Sequence, residues 1–130
     1  MSKVDASVPG TGLSTFMASS ADGSTPLAET AQVVSNAPCR VYGYWMTNSD
    51  TVANFVSFYN HPAADVTVGT TYPKFQLSPG AATSANLSLP YGIEFLNGCS
   101  VAATTTAGGN TGPVTDVDLV VWYAPINIAS

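Results

Sequence analysis

Turn-forming residues recur about every 8–12 residues along this chain, and short runs that alternate between apolar and polar side chains separate them. No window of about 11 residues carries the i, i+3, i+4, i+7 apolar spacing of an amphipathic helix. Prolines fall between the runs, where a missing N–H costs no ladder hydrogen bond: Pro38, Pro62, Pro73, Pro79, Pro90 and Pro113. The pattern predicts an all-β domain over residues 30–130, an antiparallel, jelly-roll-like β-sandwich of seven or eight strands.

The predicted strands are residues 31–35, 39–48, 54–60, 74–78, 83–90, 91–98, 99–106 and 115–123. Alternation is clearest in the last of them, where Val117, Leu119 and Val121 share one face. Residues 61–73 form a long connection for a hairpin. We expect this loop to carry the chain from one sheet to the other, or to form a surface loop that meets a neighbour.

Residues 1–29 show no sustained period and are rich in Ser, Thr, Ala, Gly and Pro. This composition is typical of an extended N-terminal arm that is ordered only where it lies against something else. A plain disordered tail is one interpretation. The other is an arm that docks on a neighbouring subunit, with Phe16 and Met17 as its partner-binding anchor. No secretory signal and no membrane-spanning run are expected from the sequence.

Charged residues make up 8% of the chain, against roughly 25% in average soluble domains. The net charge is −5, and the only bases are Lys3, Arg40 and Lys74. Three scattered bases cannot form the cluster that phosphate contacts require, which argues against nucleic acid and anionic membranes as partners. A surface so poor in charge suits either a secreted β-protein or a subunit packed in an assembly.

The single histidine, His61, is four residues from Asp65, but a His-Pro step after a strand end is typical of a turn. No GxSxG motif and no second histidine accompany it. Asp116 and Asp118 lie on one face of the last strand, roughly 7 Å apart by strand geometry, which is within glycosidase range. A solvent-facing pair explains them more simply. We therefore predict no catalytic residue and no enzymatic activity.

Metal and cofactor sites are not expected either. The glycine-rich residues 107–112 lack the lysine and the following helix of a phosphate-binding loop. Cys39 and Cys99 show no CxxC spacing, and two cysteines with one histidine are too few for a structural zinc site. A disulfide is one interpretation of the pair, and two buried free thiols are the favoured one. The aromatic residues could form a carbohydrate-binding face, but filling the core and subunit interfaces is the favoured interpretation.

An ordered set of short motifs over residues 39–124 resembles the small β-sandwich virion proteins of tailed bacteriophages. The matching elements are Phe58-Tyr59-Asn60, Val66-Thr67-Val68-Gly69-Thr70, Pro73, Ser78-Pro79-Gly80, Leu89-Pro90-Tyr91-Gly92-Ile93-Glu94-Phe95, Gly98 and Trp122-Tyr123. Two features depart from that pattern: the loop over residues 107–114 is glycine-rich rather than acidic, and the two cysteines do not belong to it.

The resemblance implies a capsid decoration (cement) protein or a part of a head fibre, without enzymatic activity. It implies binding to the major capsid protein, assembly as a homotrimer or similar oligomer, and a place on the capsid exterior after synthesis in the host cytoplasm. The arm would clamp the shell, so that removal of residues 1–29 would leave a folded sandwich that no longer binds capsids. The alternative is a receptor- or glycan-binding head domain, which requires an exposed aromatic pair on a loop or face.

Overall fold

The computed structural model describes residues 13–19 and 24–126, and in it two four-stranded antiparallel sheets pack face to face. The strands are β1 Ser14–Ala18, β2 Gln32–Ser35, β3 Cys39–Asn48, β4 Phe55–Tyr59, β5 Phe75–Leu77, β6 Thr83–Phe95, β7 Cys99–Thr104 and β8 Val117–Pro125. One short 3-10 turn, Ala63–Asp65, lies between β4 and β5. The predicted all-β sandwich is confirmed, with eight strands in the part of the chain that is described.

The strands pair in a nested order. Sheet A has the order β1-β8-β3-β6, and sheet B has the order β2-β7-β4-β5. The first strand therefore pairs with the last, the second with the seventh, the third with the sixth, and the fourth with the fifth. Every connection changes sheet except the one between β4 and β5.

That exception contradicts the first of the two interpretations of residues 61–73, a crossing between the sheets, whereas a surface loop that meets a neighbour stays a prediction. The connection after β4 does not carry the chain to the other sheet, because β5 returns to pair with β4 in sheet B. The two Phe side chains opposite each other, Phe58 and Phe75, stack with ring centroids 4.5 Å apart. The amide of Lys74 donates to the carbonyl of Phe58 at 2.7 Å and continues the ladder. Residues 60–74 instead lie on the outer face of sheet B, where the hydroxyl of Ser100 donates to the carbonyl of His61 at 2.8 Å.

One proline also differs from its predicted place. Pro90 lies inside β6, which runs without a break from Thr83 to Phe95. Ile93 pairs with Val41 and Ser88 pairs with Gly43, so residues 89–92 form a bulge in the strand. Since β6 is an edge strand, a proline in the bulge removes no required hydrogen bond.

The core lies between the sheets. Val117, Leu119 and Val121 are fully buried, as their alternation predicts, and so are Phe58 and Phe95 on β4 and β6. Phe58 lies within ring-contact distance of three other aromatic rings. These rings pack with the surrounding aliphatic side chains, and the apolar surface that they remove from water stabilises the sandwich.

One end of the sandwich is closed by a buried polar cluster that the sequence did not predict. Asn48 donates through Nδ2 to the carbonyls of Val52, Pro79 and Gly80. The carboxylate of Asp50 accepts hydrogen bonds from four donors: the side-chain amide of Asn54 and the backbone amides of Thr51, Val114 and Thr115. These bonds lower the pKa of Asp50, the one from Asn54 most of all.

The structure places part of the predicted arm inside the sandwich. Residues 14–18 are β1, and the buried Leu27 bridges to Val117 through its backbone. Residues 1–12 and 20–23 lie outside the described residues. Removal of residues 1–29 would therefore delete a strand of sheet A and a buried leucine, so the arm is tested better by removal of residues 1–12.

Candidate functional site: the outer face of sheet A

The structure does not pair the imidazole of His61 with an acid or a nucleophile among the described residues. Its backbone carbonyl is bonded to Ser100, whereas the imidazole forms no hydrogen bond or ion pair with another described residue. Asp65 is exposed at the end of the short 3-10 turn. The histidine and the acid thus belong to the loop that covers sheet B, and nothing in their surroundings resembles a catalytic pair.

The two acids of the last predicted strand, Asp116 and Asp118, differ in solvent exposure. Asp116 is exposed and precedes β8, while its carbonyl accepts from the amide of Ser49. Asp118 is half-buried on the outer face of sheet A, opposite Thr47. Within residues 13–19 and 24–126, no group of three or more His, Cys, Asp or Glu could hold a metal ion. No helix in this part of the chain is long and apolar enough to cross a membrane.

The outer face of sheet A carries large apolar side chains in register across the strands. Met17 of β1 pairs with Val120 of β8, which pairs with Trp45 of β3. Trp45 is 51% exposed and Met17 is 42% exposed. Trp122 lies two residues beyond Val120 on the same face of β8. We call these four residues, Met17, Trp45, Val120 and Trp122, the aromatic face.

A groove of about 290 Å³ lies on this face. It is lined by Tyr44, Trp45, Asn86, Leu87, Ser88 and Trp122. Gly43 lies beneath the Trp122 ring, because a methyl group built on Gly43 would be 3.4 Å from Cε3 of Trp122 and 2.9 Å from the carbonyl oxygen of Leu87. The missing side chain lets the indole lie against the strand, so the groove depends on this glycine.

Charge is confined to the ends of the aromatic face. Asp118 lies at one end, beside Thr47. At the other end Arg40 and Glu94, which pair across β3 and β6, form an ion pair. Both partners are more than one third exposed, so the pair contributes little to stability. The middle of the face is neutral, and it suits a partner surface or ligand without a strong charge.

The predicted anchor residues have different surroundings. Phe16 is partly buried and packs against the core cluster. Met17 points to the outer face and lines a shallow groove with Trp45, Asp118 and Val120. Partner binding by the two residues stays a prediction, and in the structure only Met17 has an exposed side chain to offer.

Sequence reasoning missed the aromatic face because it depends on strand register. The aromatic residues of strands were assigned to the core and to subunit interfaces, and the sequence gives no sign that Trp45 and Trp122 lie diagonally across two paired strands. The usable signal was alternation: Trp45 and Trp122 are each next to buried residues in sequence, Met46 and Val121. Side chains at alternate positions point to opposite faces, which places both indoles outward.

Comparison with known proteins gives little. No protein-family model and no curated protein matches this chain. A solved structure described as "Bacillus endospore appendages form a novel family of disulfide-linked pili" aligns over 88% of this chain and 84% of its own, with 13% sequence identity and a TM-score of 0.38. Similarity at that level carries no argument about function.

Proposed function

We propose that this protein is a structural subunit of a tailed-bacteriophage virion, a decoration protein that binds the major capsid protein on the capsid exterior and stabilises the shell. The observation that carries the proposal is the aromatic face. Exposed apolar side chains that are contiguous across a sheet mark interaction sites, because a protein in water gains free energy by covering them.

The remaining features of the chain support the same function. The low fraction of charged residues suits a protein whose surface is largely in contact with other proteins. The nested strand pairing supports a jelly-roll arrangement of the sandwich, an architecture that viral capsid domains share with lectins. The fold alone does not assign a function, and the exposed apolar surface is what indicates a partner.

The partner-binding arrangement has two parts. The aromatic face lies on the shell, and residues 1–12, which precede β1, add a second contact. Two linked contacts act multivalently, so that each can be weak while the whole binds tightly. Assembly as a homotrimer would multiply the contacts further, and native mass spectrometry would give the number of subunits.

Binding to shells of the major capsid protein tests the proposal. Co-sedimentation is expected to be saturable for the wild type and reduced at least tenfold in affinity for Trp45→Ala. Tyr72→Ala is the matched control, because Tyr72 is an aromatic residue that is 91% exposed in the loop over sheet B. Equal binding by all three proteins would remove the aromatic face from the proposal. Absence of the chain from purified virions would overturn the decoration function itself.

The groove supports a second candidate, a receptor- or glycan-binding head domain. Two indoles beside the amide of Asn86 and the hydroxyl of Ser88 offer the flat apolar surfaces and neutral polar groups that a sugar ring requires. Saturable binding on an array of neutral glycans would favour this function. Ser88→Ala separates the candidates, since it removes a sugar contact and leaves both indoles available for a protein partner.

A further inference from the structure

Two cysteines meet at one corner of the sandwich. Cys39 is the first residue of β3 in sheet A, and Cys99 is the first residue of β7 in sheet B. Both are free thiols, both are fully buried, and both belong to the core cluster. The pair therefore lies between the two sheets, at positions 60 residues apart in sequence (99 − 39).

The chain passes between the sheets twice at this corner, and the two crossings run side by side. Residues 36–38 join β2 to β3, and residues 96–98 join β6 to β7. Ser35, which ends β2, pairs with Cys99, and Phe95, which ends β6, pairs with Cys39. Each cysteine therefore begins a strand immediately after a crossing and is paired with the last residue before the other crossing.

The backbones of the two crossings are in close contact at Gly98. Gly98 has a φ of 97°, and a methyl group built on it would be 2.9 Å from the carbonyl oxygen of Ser35. Only glycine fits this conformation and this space. The close approach holds the starts of β3 and β7 next to each other, and the two thiols are near enough for each to shift the pKa of the other.

The two thiols are not equivalent. The neighbouring Cys99 thiol lowers the pKa of Cys39, burial opposes this by raising it, and the nearby Ser35 hydroxyl lowers it further. The contact with Cys39, together with burial, raises the pKa of Cys99. A thiolate is the form that attacks a disulfide, so the reaction starts from whichever of the two thiols has lost its proton.

We propose that Cys39 and Cys99 form an intramolecular disulfide that joins sheet A to sheet B. The oxidant is a low-molecular-weight disulfide such as oxidised glutathione. One of the two cysteines, as its thiolate, attacks one sulfur of the oxidant and releases one small thiol. The thiolate of the other cysteine then attacks the protein sulfur of the mixed disulfide and releases the second small thiol. Two S–H bonds and one S–S bond break, one protein S–S bond and two small-molecule S–H bonds form, and the two electrons reduce the oxidant.

The burial of both sulfurs sets the timing of the reaction. A fully covered thiol reacts only when the corner opens transiently, so oxidation of the folded protein is slow and is accelerated near the unfolding temperature. Once formed, the disulfide is equally protected from reductants. The proposal is independent of the proposed function, because it concerns the core and not the aromatic face.

The experiment uses the full chain, purified in reductant and then equilibrated in oxidised glutathione a few degrees below its thermal midpoint. After denaturation and alkylation with iodoacetamide, intact mass is expected to show loss of two hydrogens and no alkylated cysteine. The oxidised protein is expected to unfold on the order of 10 °C higher than the reduced one. Reductant should abolish that difference only after unfolding.

The matched control is the double variant Cys39→Ala/Cys99→Ala, whose midpoint should not respond to oxidant. If the double variant fails to fold, the single variants Cys39→Ala and Cys99→Ala serve, since each lacks the partner thiol and should take up one glutathione or one alkyl group. Two alkylated cysteines in the treated wild type would overturn the proposal. A disulfide-linked dimer on a non-reducing gel would overturn it as well.

Discussion

The two outer faces of the sandwich differ in what covers them. On sheet B the loop over residues 60–74 covers the strands, so that even the polar Ser57, Ser100 and Thr104 are buried. On sheet A nothing described covers the aromatic face, and Trp45 remains half-exposed. Within the described residues, the chain thus covers the outer face of sheet B with its own loop and leaves the outer face of sheet A uncovered. We infer that the outer face of sheet B contributes to stability, and the outer face of sheet A is the one proposed for recognition.

The strongest way to break this comparison is to damage the covered face. Tyr59→Ala removes a side chain that is 3% exposed, beside the loop over sheet B, and we expect it to lower the free energy of unfolding by about 3 kcal/mol. Urea denaturation followed by circular dichroism measures the change. Binding to shells should persist at temperatures where the variant is folded. A loss below about 1 kcal/mol would show that the loop is only loosely attached.

A smaller effect is expected from the polar cluster at the end shared by both sheets. The folded-state pKa of Asp50 is lowered, so its contribution is present above the pKa of the unfolded chain and is lost as pH falls through the folded-state value. Wild-type stability should therefore fall on acidification more than that of Asp50→Asn. Thermal midpoints measured from neutral pH downward test this, with the exposed Asp65→Asn as the control. Parallel curves for all three proteins would contradict the prediction.

Next in size is the hydrogen bond that ties the loop to sheet B. Ser100→Ala removes the donor to the carbonyl of His61, and because this carbonyl is left partly buried without its partner, we expect a loss of about 1 kcal/mol. Hydrogen exchange should then increase in residues 60–74 and not at the aromatic face. Uniform exchange across the molecule would mean that the loop and the sheet do not open separately.

The smallest effect on stability is expected for a substitution in the aromatic face. Trp45→Ala should change the free energy of unfolding by less than about 0.5 kcal/mol, since exposed side chains outside special sites contribute little. The same variant is expected to lose binding. A stability loss as large as that of Tyr59→Ala would show that Trp45 supports the fold, and the distinction between the two faces would disappear.

The sequence was informative where structure is decided locally. Alternation along β8 placed Val117, Leu119 and Val121 in the core, because side chains two residues apart necessarily share a face. The prediction for the loop after β4, which rested on its length, was wrong in expecting a crossing between the sheets. Phe75 returns to stack on Phe58, and this long-range contact leaves no local signal.

The buried polar cluster shows the same limit. Asn48 and Asp50 are turn-forming residues by local criteria, and they do begin a turn. Their burial depends on backbone groups from Pro79 and Val114, far along the chain, that complete their hydrogen bonds. The groove at Trp45 and Trp122 likewise depends on which residues of β3 and β8 lie opposite each other, and alternation within one strand does not identify the partner strand or the paired residues.

The pairing of the first strand with the last also governs how the molecule responds to pulling. Ser14 at the start of β1 lies beside Tyr123 near the end of β8, so the first and last described strands begin and end side by side. A force applied between Ser14 and Tyr123 acts across the β1–β8 ladder and breaks its hydrogen bonds one after another. Shearing the same ladder would load all of its bonds together. Force spectroscopy on these two residues should therefore detach β1 first, at low force, while the rest of the sandwich stays folded.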